Sequence, residues 1–317
     1  MTTTLTARRP DELLAVVPVA LGFHPQDSLV MLTFGATSSF HARLDLPDTA
    51  DDEAVEEIVD ALLGPSVRHA VDLVAFVVYS DDSAMAAALA AGLVPAFVAE
   101  GIGVVDVLRA HEGRWCSVPL RAGAAESPPA PYDDVAHAFS AQAVFDGRVT
   151  LASRDEVRST IAPDPELRRR WAELSDRLPA RGPEHGAQVE DLLAQWVESG
   201  EGPDDDGAAA VLAHVTRVDV RDGALYAVTR DTAQDHLRVW SALLRGAPDA
   251  AVPDVAAVTA FCAWQVGHGA LAWCALDRCF ELDAQHRLGR CLAECLVRAV
   301  PPTMWYEMEE RGTGTGE

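Results

Sequence analysis

Hydrophobic periodicity changes character at Pro163, and no other feature of the chain restricts its fold as much. Before that point apolar residues come in short runs of strand length. Ser28–Phe34 and Val71–Tyr79 are nearly continuous, the pattern of strands covered on both faces. Phe40–Leu46 alternates with His41, Arg43 and Asp45, so that strand has one wet face, and with Ser28–Phe34 it reads as a hairpin. Val104–His111 and Arg114–Val118 are two more strands, joined by the tight turn Glu112-Gly113. Helical spacing over Asp51–Leu63, and the alanine-rich stretch after Ser83, supply helices between them. Asp11–Val17 reads as a short helix ended by Pro18, with Ser83 as the cap of the alanine-rich one.

After Pro163 the period is helical throughout. Windows at 164–178, 186–199, 207–217, 231–245, 254–266, 268–282 and 286–299 are separated by Pro/Gly-rich breaks, and 219–229 leans to helix. The expectation is an α/β fold: an N-terminal mixed sheet with packed helices over residues 1–162, then an all-helical domain over 163–317. Residues 122–135, 179–183 and 200–206 read as loops, and the last residues as a frayed Gly/Thr tail.

Composition narrows the partners. All 25 basic residues are arginine, against 49 Asp plus Glu, for a formal charge of −24. A surface this acidic repels nucleic-acid backbones and anionic lipid, so neither is an expected partner. Arg168–Arg170 is the densest basic run, and helical spacing pairs it with Glu166 and Glu173. No stretch reads as an export signal or a membrane span, and the six cysteines form no C-x-x-C pair. A cytoplasmic protein with buried thiols is expected.

Residues 20–47 carry Ala-Leu-Gly-Phe-His-Pro-Gln-Asp-Ser-Leu-Val and then Ala-Arg-Leu-Asp-Leu-Pro. With Ala141–Ile161, Trp264, the Gly-His-Gly-Ala-Leu-Ala-Trp run ending at Trp273, and Pro301-Pro302, they resemble the actinobacterial family known as domain of unknown function 4192. The resemblance covers both halves and implies no activity. From Gly267, GHGALAWCALDRCFELDA is similar to the second half of a tetratricopeptide repeat, which suggests a helical hairpin over 254–283.

Site candidates cluster near strand ends. His24, Asp27 and Ser28 precede the first strand; Arg43 and Asp45 share the wet face of the second. Asp81 and Asp82 follow the buried strand, where open α/β sheets place ligands, and Arg154 starts a helical stretch. If the strand ends meet, these residues line one pocket suited to a planar carboxylate or phosphate. The leading expectation is a non-catalytic small-molecule-binding or scaffolding protein, with a small molecule, another protein or a second copy of the chain as partner. The competing one is a metal-assisted hydrolase or transferase using Asp81 and Asp82 with His24. Nucleotide-binding and zinc-protease motifs are absent, so no cofactor is named and no metal site assigned.

Overall fold

The computed structural model describes residues 9–36, 40–120, 126–134, 137–145, 149–178 and 185–307. The loop expected at 179–183, parts of that expected at 122–135, and the C-terminal tail lie outside them. Contacts divide the chain into two compact units, one of residues 1–154 with 297–301, the other of 155–296 with 302–317. The break in contacts thus falls before Asp155, eight residues ahead of the change in hydrophobic period.

The first unit contains α1 (Pro10–Leu21), β1 (Ser28–Phe34), β2 (His41–Asp45), α2 (Asp52–Arg68), β3 (Leu73–Tyr79), α3 (Ser83–Ala99), β4 (Gly103–His111), β5 (Arg114–Ser117), β6 (Ala130–Pro131) and α4 (Ala138–Phe145). The strands form one mixed sheet in the order β2-β1-β3-β4-β5-β6. β3 and β4 are parallel, joined through α3, and the other pairs are antiparallel.

Both faces of the sheet are covered. Ile58 and Leu62 of α2, with Met85, Leu89, Leu93 and Phe97 of α3, pack on Leu29, Met31, Phe76 and Val78. Leu13, Leu14 and Val17 of α1 pack on Val30, Leu32, Ala75, Val77 and Leu108 from the other side. Each fully buried side chain of this size contributes about 1.5–3 kcal/mol. Double coverage explains why β1 and β3 are continuously apolar, whereas the edge strand β2 alternates.

Two local expectations are corrected. α1 continues through Pro18 and ends at Gly22 in the left-handed region (φ 81°). Proline there removes one backbone donor and shapes the last turn, but Gly22 N–H still closes on the Pro18 carbonyl at 2.8 Å. α3 is capped by Asp82 rather than Ser83: its carboxylate accepts from the N–H groups of Ala84 (2.8 Å) and Met85 (3.2 Å). Gly92 and Pro95 do not interrupt that helix.

The second unit holds α6 (Pro165–Ser175), α7 (His185–Ser199), α8 (Asp205–His214), α9 (Val218–Tyr226), α10 (Ala233–Gly246), α11 (Val252–Gln265) and α12 (Gly269–Leu282). α5 (Arg154–Thr160) and α13 (Arg287–Val297) lie at its boundaries. α11 and α12 pack together across a turn in which Gly267 takes φ 79°. The arginine run does not pair with its neighbouring glutamates. Arg168 bonds Asp249 and Arg170 bonds Asp205 (3.0 Å), because carboxylates on adjoining segments sit closer than those along the helix. A buried ionic knot links α9, α11 and the turn before α13. Asp254 accepts from Arg221 (2.9 Å) and His286 (3.2 Å), while His286 Nδ1 accepts from Gly289 N–H (3.2 Å). Among the described residues, no helix is long and apolar enough to cross a membrane.

Candidate functional site

One cross-strand row organises the carboxyl edge of the sheet. Asp45 of β2 stands opposite Ser28 of β1, and Ser28 opposite Tyr79 of β3. Paired residues point to the same face, here the face covered by α1, which Arg43 shares through its pairing with Val30. The returning chain is tied to the same edge: Phe23 bridges Leu151, and His24 N–H donates to the Leu151 carbonyl (3.0 Å). Three residues later Arg154 reaches Asp45.

The polar groups along this edge interlock. Arg43 Nε donates to Ser28 Oγ (2.9 Å), and its terminal nitrogens reach Asp45 (2.5 Å) and the Gln26 carbonyl (3.4 Å). Arg154 meets the other oxygen of Asp45 at 3.6 Å. The Arg43 side chain is 14% exposed and that of Asp45 68% exposed. A mostly buried, fixed guanidinium is therefore faced by a carboxylate that stands in solvent.

At the inner end of the row, Tyr79 is buried and its hydroxyl has no hydrogen-bond partner among the described residues. Burial raises its phenol well above the ordinary range, and Tyr132 and the Asp134 carboxylate add to the effect. Tyr132 is pushed up to about 12 by burial and by Asp134. Both therefore remain protonated hydrogen-bond donors at neutral pH. Asp134 also takes a hydrogen bond from His24 Nδ1 at 3.1 Å. That bond fixes the tautomer of a neutral His24 with its proton on Nδ1, leaving the Nε2 lone pair free.

The sequence-derived candidates thus separate. Ser28, Arg43, Asp45 and Arg154 are joined by hydrogen bonds and ion pairs, and His24 lies at the same edge with Asp134 as its partner. Asp27 serves the backbone: it sits in the left-handed region (φ 44°), which Asp tolerates, and its carbonyl accepts from Leu46 N–H at 3.1 Å. Asp82 is the α3 cap. Asp81 is exposed, and its backbone carbonyl accepts from Arg109 (3.4 Å). No hydrogen bond or ion pair among the described residues joins Asp81 or Asp82 to Arg43. Arg109, which holds the Asp81 carbonyl, lies on the opposite face of the sheet from Arg43, as its pairing with Val78 requires.

Several residues escaped the sequence reading. Asp134 and Tyr132 lie in a stretch read as loop, and 110 residues separate Asp134 from His24. Arg109 forms a second cluster with Glu126 (2.9 and 3.3 Å), and Cys116 donates to the same carboxylate (3.4 Å). Hydrogen bonds from Arg109 hold the Glu126 carboxyl below its usual range, while burial and Glu126 push the Cys116 thiol up. Its donors are spent on protein acceptors, so this cluster closes the sheet edge and leaves no reactive thiolate. Among the described residues, no group of three or more His, Cys, Asp or Glu side chains is placed to hold a metal ion.

No curated protein and no solved structure matches the chain. A family model, domain of unknown function (DUF4192), matches residues 10–303, which include the whole arginine row, Asp134 and nearly all of the helical unit. The chain belongs to the DUF4192 family.

Proposed function

We propose that the first unit binds a small molecule through one carboxylate or phosphate, held by Arg43 and Arg154. The observation that carries this reading is the sharing of a single exposed carboxylate, Asp45, by two arginines from distant parts of the chain. Arg43 is already oriented by Ser28 and Gln26, so little side-chain freedom is lost when an anion replaces Asp45. A charge of −24 over the whole chain repels polyanions, whereas two local arginines suit a single planar anion. The metal-assisted alternative has less support, because Asp82 spends its carboxylate on capping α3.

Calorimetric titration with inorganic phosphate and with succinate tests the reading. Removing a charge-assisted hydrogen-bond donor costs about 1.5–3 kcal/mol, so Arg43→Ala is expected to weaken binding at least about tenfold. Asp81→Ala is expected to bind as the parent does. Equal affinity in the parent and Arg43→Ala, or loss on Asp81→Ala, contradicts the reading.

A further inference from the structure

The His24–Asp134 pair lies at the edge that carries the arginines, and its chemistry goes beyond holding an ion. Asp134 is 18% exposed and His24 31% exposed, so the carboxylate is shielded while the ring still reaches solvent. Asp134 fixes Nδ1, and Nε2 makes no hydrogen bond among the described residues. The backbone on both sides is pinned, by the His24–Leu151 hydrogen bond and by buried Pro25. The buried Tyr79 hydroxyl, whose phenol the Asp134 carboxylate helps to raise, is a donor with no acceptor among the described residues. An oriented imidazole whose Nε2 is unbonded among the described residues, with a shielded carboxylate behind it, has the parts of a general base.

We propose that His24 is a catalytic general base and that the bound anion is the free end of a carboxylic ester, which the site hydrolyses. Ser28 does not serve as nucleophile, because its hydroxyl donates to the Gln26 carbonyl and accepts from Arg43. Water is the nucleophile. Its oxygen bonds to the acyl carbon as one of its protons passes to Nε2, and the carbonyl electron pair moves onto oxygen. The resulting imidazolium is stabilised by Asp134. Collapse re-forms the carbonyl and breaks the bond to the alkoxide, which takes the proton back from Nε2. One ester and one water become one acid and one alcohol, with no other reactant. Asp134 acts through His24 and is a positioning residue. The substrate class rests on the anion reading above, and the test separates the two.

The probes are 4-nitrophenyl acetate, which is neutral, and mono-4-nitrophenyl succinate, which carries a free carboxylate. His24→Ala and His24→Gln are expected to lower kcat on both esters by about 10²-fold, the low end of general-base contributions. His111→Ala, an exposed histidine elsewhere, should leave kcat unchanged. Arg43→Ala should raise KM for the succinyl ester alone. The ring nitrogens of His24 in a ¹⁵N spectrum should report the Nδ1–H tautomer in the parent and lose that preference in Asp134→Ala. Unchanged kcat in both His24 variants, or no hydrolysis above buffer by the parent, overturns the general base. An unchanged KM in Arg43→Ala overturns the anionic substrate and leaves the base standing.

Discussion

Asp254→Ala is expected to cost the protein about 3–5 kcal/mol, the loss usual when one partner is removed from a buried charged network. Asp254 and Arg221 are each 14% exposed, and His286 is buried. Truncation leaves the Arg221 guanidinium, among the described residues, with Asp222 as its remaining acid partner, and strips the acceptor from His286 Nε2. His286 Nδ1 accepts from Gly289 N–H in the first turn of α13, so the ring must carry its proton on Nε2, toward Asp254. Removing the carboxylate therefore also loosens the start of that helix. Burial pushes the Asp254 carboxyl up, but the hydrogen bonds from His286 and Arg221 outweigh it and hold the carboxyl below its ordinary value. A depressed folded pKa contributes stability above the unfolded value, near pH 4, and loses it as pH falls through the folded one. Urea unfolding at pH 7 should show the full difference in midpoint with little change in slope, and the gap should narrow toward acid. A loss under 1 kcal/mol at pH 7 would show that the knot is not formed.

Phe76→Ala is expected to cost a similar amount, about 3–5 kcal/mol, by leaving a cavity under the sheet. Phe76 lies in the middle of β3, flanked by β1 and β4, and is fully buried. Its ring meets Phe97 of α3 edge to face, with centroids 5.1 Å apart at 84°. Met31, opposite on β1, is itself buried and fixed by the strand, so collapse into the gap is limited. Leu73 begins the same strand but is 45% exposed, and Leu73→Ala should cost well under half as much. Equal costs at the two positions, read from thermal or urea unfolding, would contradict the placement of β3 as a central strand.

The elements were legible where burial imposes a period. β1 and β3 announce themselves as unbroken apolar runs because α1 covers one face of the sheet and α2 with α3 the other. β2 alternates because it is an edge strand. Each helical window after Pro163 corresponds to a helix, since every one must bury a stripe against its neighbours. Caps were harder to read. Asp82 and Ser83 are both good N-caps, and only the backbone geometry decides between them.

The site was legible only in part, for a topological reason. Arg43 and Asp45 are two residues apart on one strand face, so local pattern finds them together. Joining them to Ser28 requires only the hairpin. Bringing in Arg154 requires the Phe23–Leu151 bridge, and linking His24 to Asp134 requires the whole sheet to close across 110 residues. Asp81 was grouped with Arg43 because both lie near strand ends at the same edge. Among the described residues no hydrogen bond or ion pair joins them, and the Asp81 carbonyl is held instead by Arg109. Strand order, which decides which strand ends are neighbours, leaves no trace in a local pattern. Asp134 had no signal of its own in a Pro/Ala-rich stretch.

The most direct measurement of the proposed site is an NMR titration with inorganic phosphate that follows the arginine Nε–Hε resonances of the intact chain. Saturable shifts at Arg43 and Arg154, with Arg109 and the amides of Ala84 and Met85 unmoved, are the predicted result. Shifts centred on the start of α3, or none at Arg43 while phosphate binds elsewhere, would contradict it.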